Sequence, residues 1–310
     1  MLEVILTEGF IYGIMVLGVF ITFRVLNFAD MTVDGSFPLG AVIMGVMLTA
    51  RMPSSSALAL AFAGGVFAGL ITALIHTRLK IPDLLSGILT MTMLSSINLR
   101  VMSNRANLSL IKTPTLFSGI REFAQSFPGG SEWALVLFCT LVVLLIKFIL
   151  DLFFHTDFGL TLGALGANPQ LIVSQGMNPD VVKISGICLA NGLVAVSGAL
   201  AAMYQGFADV NFGSGMIVSG LASLMLGEFL IRSNRIGLLT LRVILGSIVY
   251  RGLMITARNY GYHINMNPND LKLMTALLIV VCIIISRTGF RSGYRKNERN
   301  TGGKSAGKGS

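Results

Sequence analysis

The sequence predicts an all-α polytopic membrane protein with about 9–10 transmembrane helices, one or more of them discontinuous. Three observations carry this expectation. Only 12% of the 310 residues are charged, against roughly 25% in a soluble domain. The apolar fraction is 54% and the mean hydropathy is +0.78. The apolar residues also gather in runs near ~20 residues, the length at which a helix crosses ~30 Å of hydrocarbon. These numbers exclude a soluble enzyme, a disordered tail protein and a secreted disulfide scaffold.

Nine segments qualify as spans: 4–23, 34–50, 57–76, 84–102, 132–154, 184–204, 215–231, 238–257 and 271–287. The second and seventh are short and flanked by polar residues, so they read as broken spans; counting one broken segment twice gives ten. Polar stretches separate them at 24–33, 103–131, 155–183, 205–214 and 258–270. A single transmembrane domain thus covers 1–287, and 288–310 form a basic, Gly-rich tail with the composition of a disordered segment.

The net charge of +9 is unevenly placed. Residues 287–310 hold seven basic side chains against one acid, Glu298. Lys and Arg gather on cytoplasmic loops, so the tail is expected in the cytoplasm. Counting back through nine spans puts about 15 basic residues inside and 8 outside. The acidic N-terminus, with Glu3 and Glu8, then falls outside; ten spans would reverse it. Residues 1–7 lack a basic n-region and the first apolar run is long, so no cleavable signal peptide is expected. Cys139, Cys188 and Cys282 each sit inside an apolar run and read as packed thiols rather than bridges.

On this orientation 155–183 is a cytoplasmic loop, yet Leu160, Leu162, Leu165, Leu171, Ile172 and Val173 make it too apolar for a solvated connection. The expectation is a short amphipathic helix that packs on something, with turns at Asn168-Pro169 and Asn178-Pro179.

A faint internal echo also appears. Asn27-Phe28 to Phe37 follows the first span, and Asn211-Phe212 to Leu221 follows the sixth. Both run through small and polar residues into a Val-x-Gly and a short apolar helix. Short broken segments at matching positions of two halves point to the substrate path of a transporter. Within them Asp30 and Asp34 would share a face if the stretch is helical. Either Asp34 and Ser36 cap the second span's start, or the two acids face a wet path and meet a cationic part of a solute. In the fourth span Ser86, Thr90, Thr92, Ser95, Ser96 and Asn98 form a hydroxyl-rich stripe, read either as helix packing or as an aqueous lining. Asn191 and Ser197 of the sixth span read the same way. The candidates for the translocation path are Asn27, Asp30, Thr32, Asp34, Ser36, Thr90, Thr92, Ser96, Asn191 and Asn211. Small residues four apart, Gly9/Gly13 and Gly65/Gly69, would allow close helix contacts.

Other patterns fail on inspection. Gly303-Lys304-Ser305 resembles the end of a phosphate-binding loop, but Glu298 stands where its first glycine is required. His76, His155 and His263 show no ligand spacing, so no metal site is expected. Asn107-Leu108-Ser109 is a glycosylation triplet by pattern only. The tail has one aromatic residue, Tyr294, and suits lipid headgroups or topology control better than nucleic acid.

Two segments together are similar to a known family. Arg24 to Asp30 and Thr32-Val33-Asp34-Gly35-Ser36-Phe37-Pro38-Leu39-Gly40 resemble permeases of the branched-chain amino acid ABC importer family. The Asp-x-Thr-Val-Asp-Gly-Ser-Phe form, with Ile88 to Arg100, is closer to the subset described as tryptophan/tyrosine transport permeases. Phe158-Gly159 to Gly166-Ala167-Asn168-Pro169, then Gly176-Met177-Asn178 and Lys183, resemble that family's coupling segment. One departure is Gly163, where the family usually carries Arg.

The resemblance implies a type II ABC importer-like permease in the bacterial cytoplasmic (inner) membrane. It implies a homodimer, two cytoplasmic ATP-binding subunits and an extracytoplasmic binding protein. ATP and Mg would sit on the ATPases, with no cofactor and no catalytic constellation in this chain. The ATPase would press on Phe158, Gly159, Leu162, Ala164, Gly166, Asn168, Pro169 and Gly176. The solute would be an aromatic amino acid; alternatives are a branched-chain amino acid, a nucleoside or another small polar solute. An ion-coupled secondary transporter would leave 155–183 without a partner. A membrane enzyme such as an acyltransferase would need an interfacial His, Asp or Arg cluster that the sequence does not display.

Overall fold

The computed structural model describes residues 1–111, 113–125, 131–231 and 236–262, together with Leu277 and Val280. Seven of the described helices are long and apolar enough to cross a membrane, and an eighth, Val33–Thr49, is apolar but shorter. They coincide with the first eight expected spans. The ninth, 271–287, lies outside the described residues except for Leu277 and Val280, which are helical. The tail lies outside them altogether.

In chain order, α1 (Leu2–Val19) runs into a π-helical turn, Phe20–Val25. Then come α2 (Val33–Thr49), α3 (Ser54–Leu79), α4 (Asp83–Val101), strand β1 (Asn107–Ser109), α5 (Leu116–Gln125) and α6 (Ser131–Phe154). A pair of short helices, α7 (Asp157–Ala167) and α8 (Pro169–Ser174), leads to α9 (Pro179–Gln205). Strand β2 (Phe207–Asp209), a 3-10 turn (Val210–Gly213), α10 (Met216–Leu230) and α11 (Ile236–Tyr262) follow.

The centre of the bundle is α9, packed on α1, α2 and α3. Lipid tails are as apolar as leucine, so close backbone approach and interhelical hydrogen bonds hold such helices together rather than water exclusion. The sequence supplies the approach. Gly65 of α3 would place a Cβ 2.6 Å from that of Ala195, and Gly69 one 2.9 Å from the Cα of Cys188. Gly9 sits equally close, 2.8 Å, to the Cα of Ile248 in α11. Both glycine pairs expected to make helix contacts do so. Cys139 and Cys188 are free thiols, and Cys282 lies outside the described residues.

The connections carry more structure than their polar composition suggested. The stretch 103–131 contains β1 and α5, and the triplet Asn107-Leu108-Ser109 is β1 itself, paired antiparallel with β2 through Leu108 and Ala208. Pairing satisfies the backbone groups of an exposed link and a largely buried one at once. The stretch 155–183 is two helices rather than one. Asn168 accepts the Gln170 N–H at 3.0 Å and Asn178 accepts that of Asp180 at 2.9 Å. Each asparagine caps a new helix whose first residue is proline, which needs no N–H partner there.

Candidate functional site at the break between the first two spans

The chain leaves the π turn at Val25 and enters α2 at Val33 through an irregular link. Asn27 turns it with a φ of +51°, a conformation that asparagine tolerates better than most residues. The link is fixed on every side. The Phe28 N–H returns to the Thr22 carbonyl at 2.9 Å, and the Phe28 ring meets His76 edge-on at 5.1 Å. The Ala29 N–H donates to Asp83 of α4 at 3.1 Å. Gly87 of α4 leaves room for the Met31 backbone, whose nitrogen would lie 2.6 Å from a Cβ there.

Asp30 is 1% exposed. One carboxylate oxygen accepts the Thr32 N–H at 2.8 Å, closing an Asx turn. The other accepts the Asn191 side-chain N–H from α9 at 2.7 Å. Asn191 also donates to the Ile187 carbonyl at 3.1 Å, and its oxygen lies 2.5 Å from the Ser36 hydroxyl. That hydroxyl is also 2.7 Å from the Thr32 carbonyl. Finally, the Thr32 and Thr72 hydroxyls meet at 2.7 Å. A fully enclosed carboxylate is costly unless its oxygens are satisfied; the link and α9 satisfy this one directly, while Ser36 of α2 and Thr72 of α3 hold Asn191 and Thr32 in place.

Asp34 faces elsewhere. Its two oxygens accept the N–H groups of Ile217 at 2.8 Å and Gly215 at 3.2 Å, at the start of α10. A carboxylate suits a helix N-terminus both as hydrogen-bond acceptor and against the helix dipole. Pro38 has no N–H to offer the Asp34 carbonyl one turn back, and Gly213 lies against that carbonyl with no space for a side chain. Thus the two echo segments, far apart in sequence, meet each other.

Below the link, α7 sits on the first span. Gly166 abuts the Val25 carbonyl, and Leu26 and Leu162 of α7 both meet Gly186 of α9, each leucine 2.8 Å from a Cβ built at that glycine. Glu228, near the end of α10, pairs with Arg24 of the π turn at 2.9 Å and with Arg242 of α11 at 3.1 Å.

Over residues 1–284 the chain matches the family described as branched-chain amino acid transport system / permease component. The chain belongs to this permease family. It is 40% identical over 276 residues to a tyrosine transport system permease protein of Clostridioides difficile (strain R20291), covering 89% of this chain and 88% of that one. It is 28% identical to an uncharacterized protein of Rickettsia prowazekii (strain Madrid E), covering 87% and 91%. It is 27% identical over 199 residues to the autoinducer 2 import system permease protein LsrC of Salmonella typhi, covering 64% and 54%. A solved chain of PsaBC from Streptococcus pneumoniae aligns with TM-score 0.47 and 15% identity over 90% of this chain and 89% of its own. Family membership makes the chain the membrane-embedded permease of an ABC importer. It is a multi-pass protein of the bacterial inner membrane that works with ATPase and binding-protein partners.

The permease brings together Asp30, Thr32, Ser36 and Asn191, all buried. Sequence reading missed their fifth partner, Thr72, which no local signal separates from the other hydroxyls of α3. The expectation that Asp30 and Asp34 share a helix face is incorrect, because α2 begins only at Val33. The expectation that Asp34 and Ser36 cap the start of α2 also fails. Thr32 holds the N-cap position with no side-chain bond, Asp34 caps α10, and Ser36 turns to Asn191. The α4 stripe divides by helical geometry: Ser86, Thr90 and Asn98 are buried, while Thr92, Ser95 and Ser96 are exposed. Asn27 and Asn211 are exposed too. Among the described residues no group of three or more metal-ligand side chains gathers.

Proposed function

We propose that the permease imports an aromatic amino acid, working as a homodimer with its C-terminus in the cytoplasm and no catalysis of its own. ATP-binding subunits would dock on α7 and α8 at the face that exposes Asn168, Pro169 and Gly176, flanked by the half-buried Phe158 and Ala164, while Gly159, Leu162 and Gly166 pack against the permease itself and hold that face in place. The observation that carries this reading is the pair α7–α8. It leaves Leu160, Leu171 and Val173 exposed while Gly166 seats it on the end of the first span. An apolar surface joined rigidly to a span is what a docking segment needs in order to transmit displacement.

The path is assigned to Asn27, Asp34, Thr92, Ser96 and Asn211. Ala208 lies against Gly45, and Gly213 against Asp34, so the 208–213 link descends about 16 Å along α2 at ~1.5 Å per residue. Exposed irregular backbone at that depth must face water or protein, because lipid offers it no hydrogen bonds. Asn211, Ser214 and Gly215 are exposed there, which favours an aqueous lining between two copies. The buried set of Asp30, Thr32, Ser36, Thr90 and Asn191 then holds the walls in place. The aromatic solute rests on likeness to the tyrosine permease; the family's description favours a branched-chain amino acid as the second reading. Proteoliposomes containing the permease, its ATPase and its binding protein test both. The expected outcome is ATP-dependent tyrosine or tryptophan uptake that excess leucine does not suppress. Uptake driven by an ion gradient without ATPase would refute the reading.

A further inference from the structure

The first span ends in a turn that differs from the rest of the bundle. Across Phe20–Val25 the backbone is π-helical, and the Leu26 N–H reaches back to Ile21 at 3.0 Å. π turns are wider than α turns and concentrate at functional positions. This one is gripped from two sides. On one side Gly166 of α7 rests on the Val25 carbonyl, and Leu26 meets Gly186 of α9 beside Leu162 of α7. On the other side lies α10. A Cβ at Gly220 would come 3.1 Å from the side chain of Val19, immediately before the turn, and Glu228 pairs with Arg24 inside it.

Two further observations say what can move. Beside α7 an apolar cleft of about 320 Å³ is lined by Phe20, Val25, Phe154, Gly159, Gly163 and Leu239. It gives α7 room to shift. At the far end of α10, Gly215 has a φ of +79° and nothing within 4 Å of where a side chain would be. The first N–H groups of the helix are meanwhile fastened to Asp34 of α2. In turn, α2 is locked on α9, where Gly40 meets the Ala195 carbonyl and Gly198 that of Phe37. One end of α10 is therefore tied to the α2–α3–α9 packing and the other meets the π turn, while α11 packs along α10, with Gly227 against the Arg242 carbonyl and Gly246 against that of Ser223, and would move with it.

We propose that the Phe20–Val25 turn is the transmission element of the permease. It would carry displacement of α7 into a swing of α10 about the Asp34–Gly215 junction, changing access beside the exposed link at Asn211–Gly215. Arg24 and Glu228 are positioning residues in this device. The proposal rests on the importer reading and identifies the moving part within it.

Distances measured by pulsed electron paramagnetic resonance in the assembled complex, in nanodiscs, test it. Nitroxides go on Phe67→Cys in α3 with either Phe23→Cys in the turn or Val218→Cys in α10, with the three native cysteines replaced. Phe67, Phe23 and Val218 are all exposed. Trapping the ATPase with vanadate is expected to shift both distances from Phe67. In the double variant Arg24→Ala/Glu228→Gln the Phe23 distance still shifts, the Val218 shift shrinks, and solute moved per ATP falls about tenfold. A Val218 distance that stays fixed in a wild-type complex that transports would overturn the proposal. So would a Val218 shift while Phe23 stays fixed. If the double variant does not assemble, the wild-type pair of distances decides. Absence of ATP-driven uptake by the unlabelled wild-type complex would instead remove the importer reading on which the device stands.

Discussion

Asp34 Oδ1 accepts the backbone N–H of Ile217 at 2.8 Å, across 183 residues of sequence. With the Gly215 contact it makes the carboxylate of one half-helix the cap of another. Asp34→Ala removes both acceptors and the charge that opposes the helix dipole. The expected loss is about 1–2 kcal/mol of stability, read as a lower unfolding temperature of the purified protein. Asp34→Asn keeps one acceptor and should fall between the two.

Asn191 is the centre of the buried network, touching Asp30, Ser36 and Ile187. Asn191→Leu would leave the Asp30 carboxylate enclosed and short of a donor, a loss of about 3 kcal/mol or more. Folded protein recovered from membranes should drop sharply. The exchange Asp30→Asn with Asn191→Asp restores a donor facing an acceptor and should recover part of it. An exchange variant no better than Asn191→Leu would show that the pair is not the determinant.

Within α7, two neighbouring glycines should behave differently. A Cβ at Gly163 meets nothing within 4 Å, whereas one at Gly166 would overlap the Val25 carbonyl. Gly163→Ala should therefore keep wild-type uptake. Gly166→Ala should displace α7 from the turn and lower solute transported per ATP by about tenfold, while the ATPase still co-purifies. Equal behaviour of the two variants would refute this contact.

Across the central packing, Gly40→Ala and Gly198→Ala each push a methyl group into a carbonyl of the facing helix. Overpacking of this kind costs about 1–3 kcal/mol. Gly119 in α5 faces open space, so Gly119→Ala should be neutral or stabilising by up to about 1 kcal/mol. Thermal unfolding of the three variants in one detergent compares them directly.

Much of this fold was legible because hydrocarbon is a demanding solvent. Apolar runs longer than about 17 residues have few alternatives to a spanning helix, and eight of the expected spans coincide with described helices. The asparagine–proline pairs at 168 and 178 read as turns; each is in fact the start of a new helix, although the asparagine cap and the proline at the first helical position are local properties. Asp30, Ser36 and Asn191 stood out for a similar reason: a polar side chain in an apolar run needs a partner. The partners themselves were not legible. Thr72 is one hydroxyl among many, and nothing local distinguishes it from Thr77, which bonds to its own helix. Strand β1 is three residues long and exists because β2 lies beside it.

The opposite fates of Asp30 and Asp34 show where the boundary falls. The sequence by itself determined that two carboxylates stand at a break after the first span, because charge is too scarce in this chain for them to be ordinary surface residues. It determined too that an apolar loop precedes the sixth span. Only the tertiary structure decided that Asp30 closes inward on Asn191 while Asp34 reaches out to α10. Helical periodicity orders side chains within one element, and the link at 26–32 breaks that order before α2 begins. Which helix end an acid caps, and which carbonyl a glycine admits, depends on contacts between elements far apart in the chain.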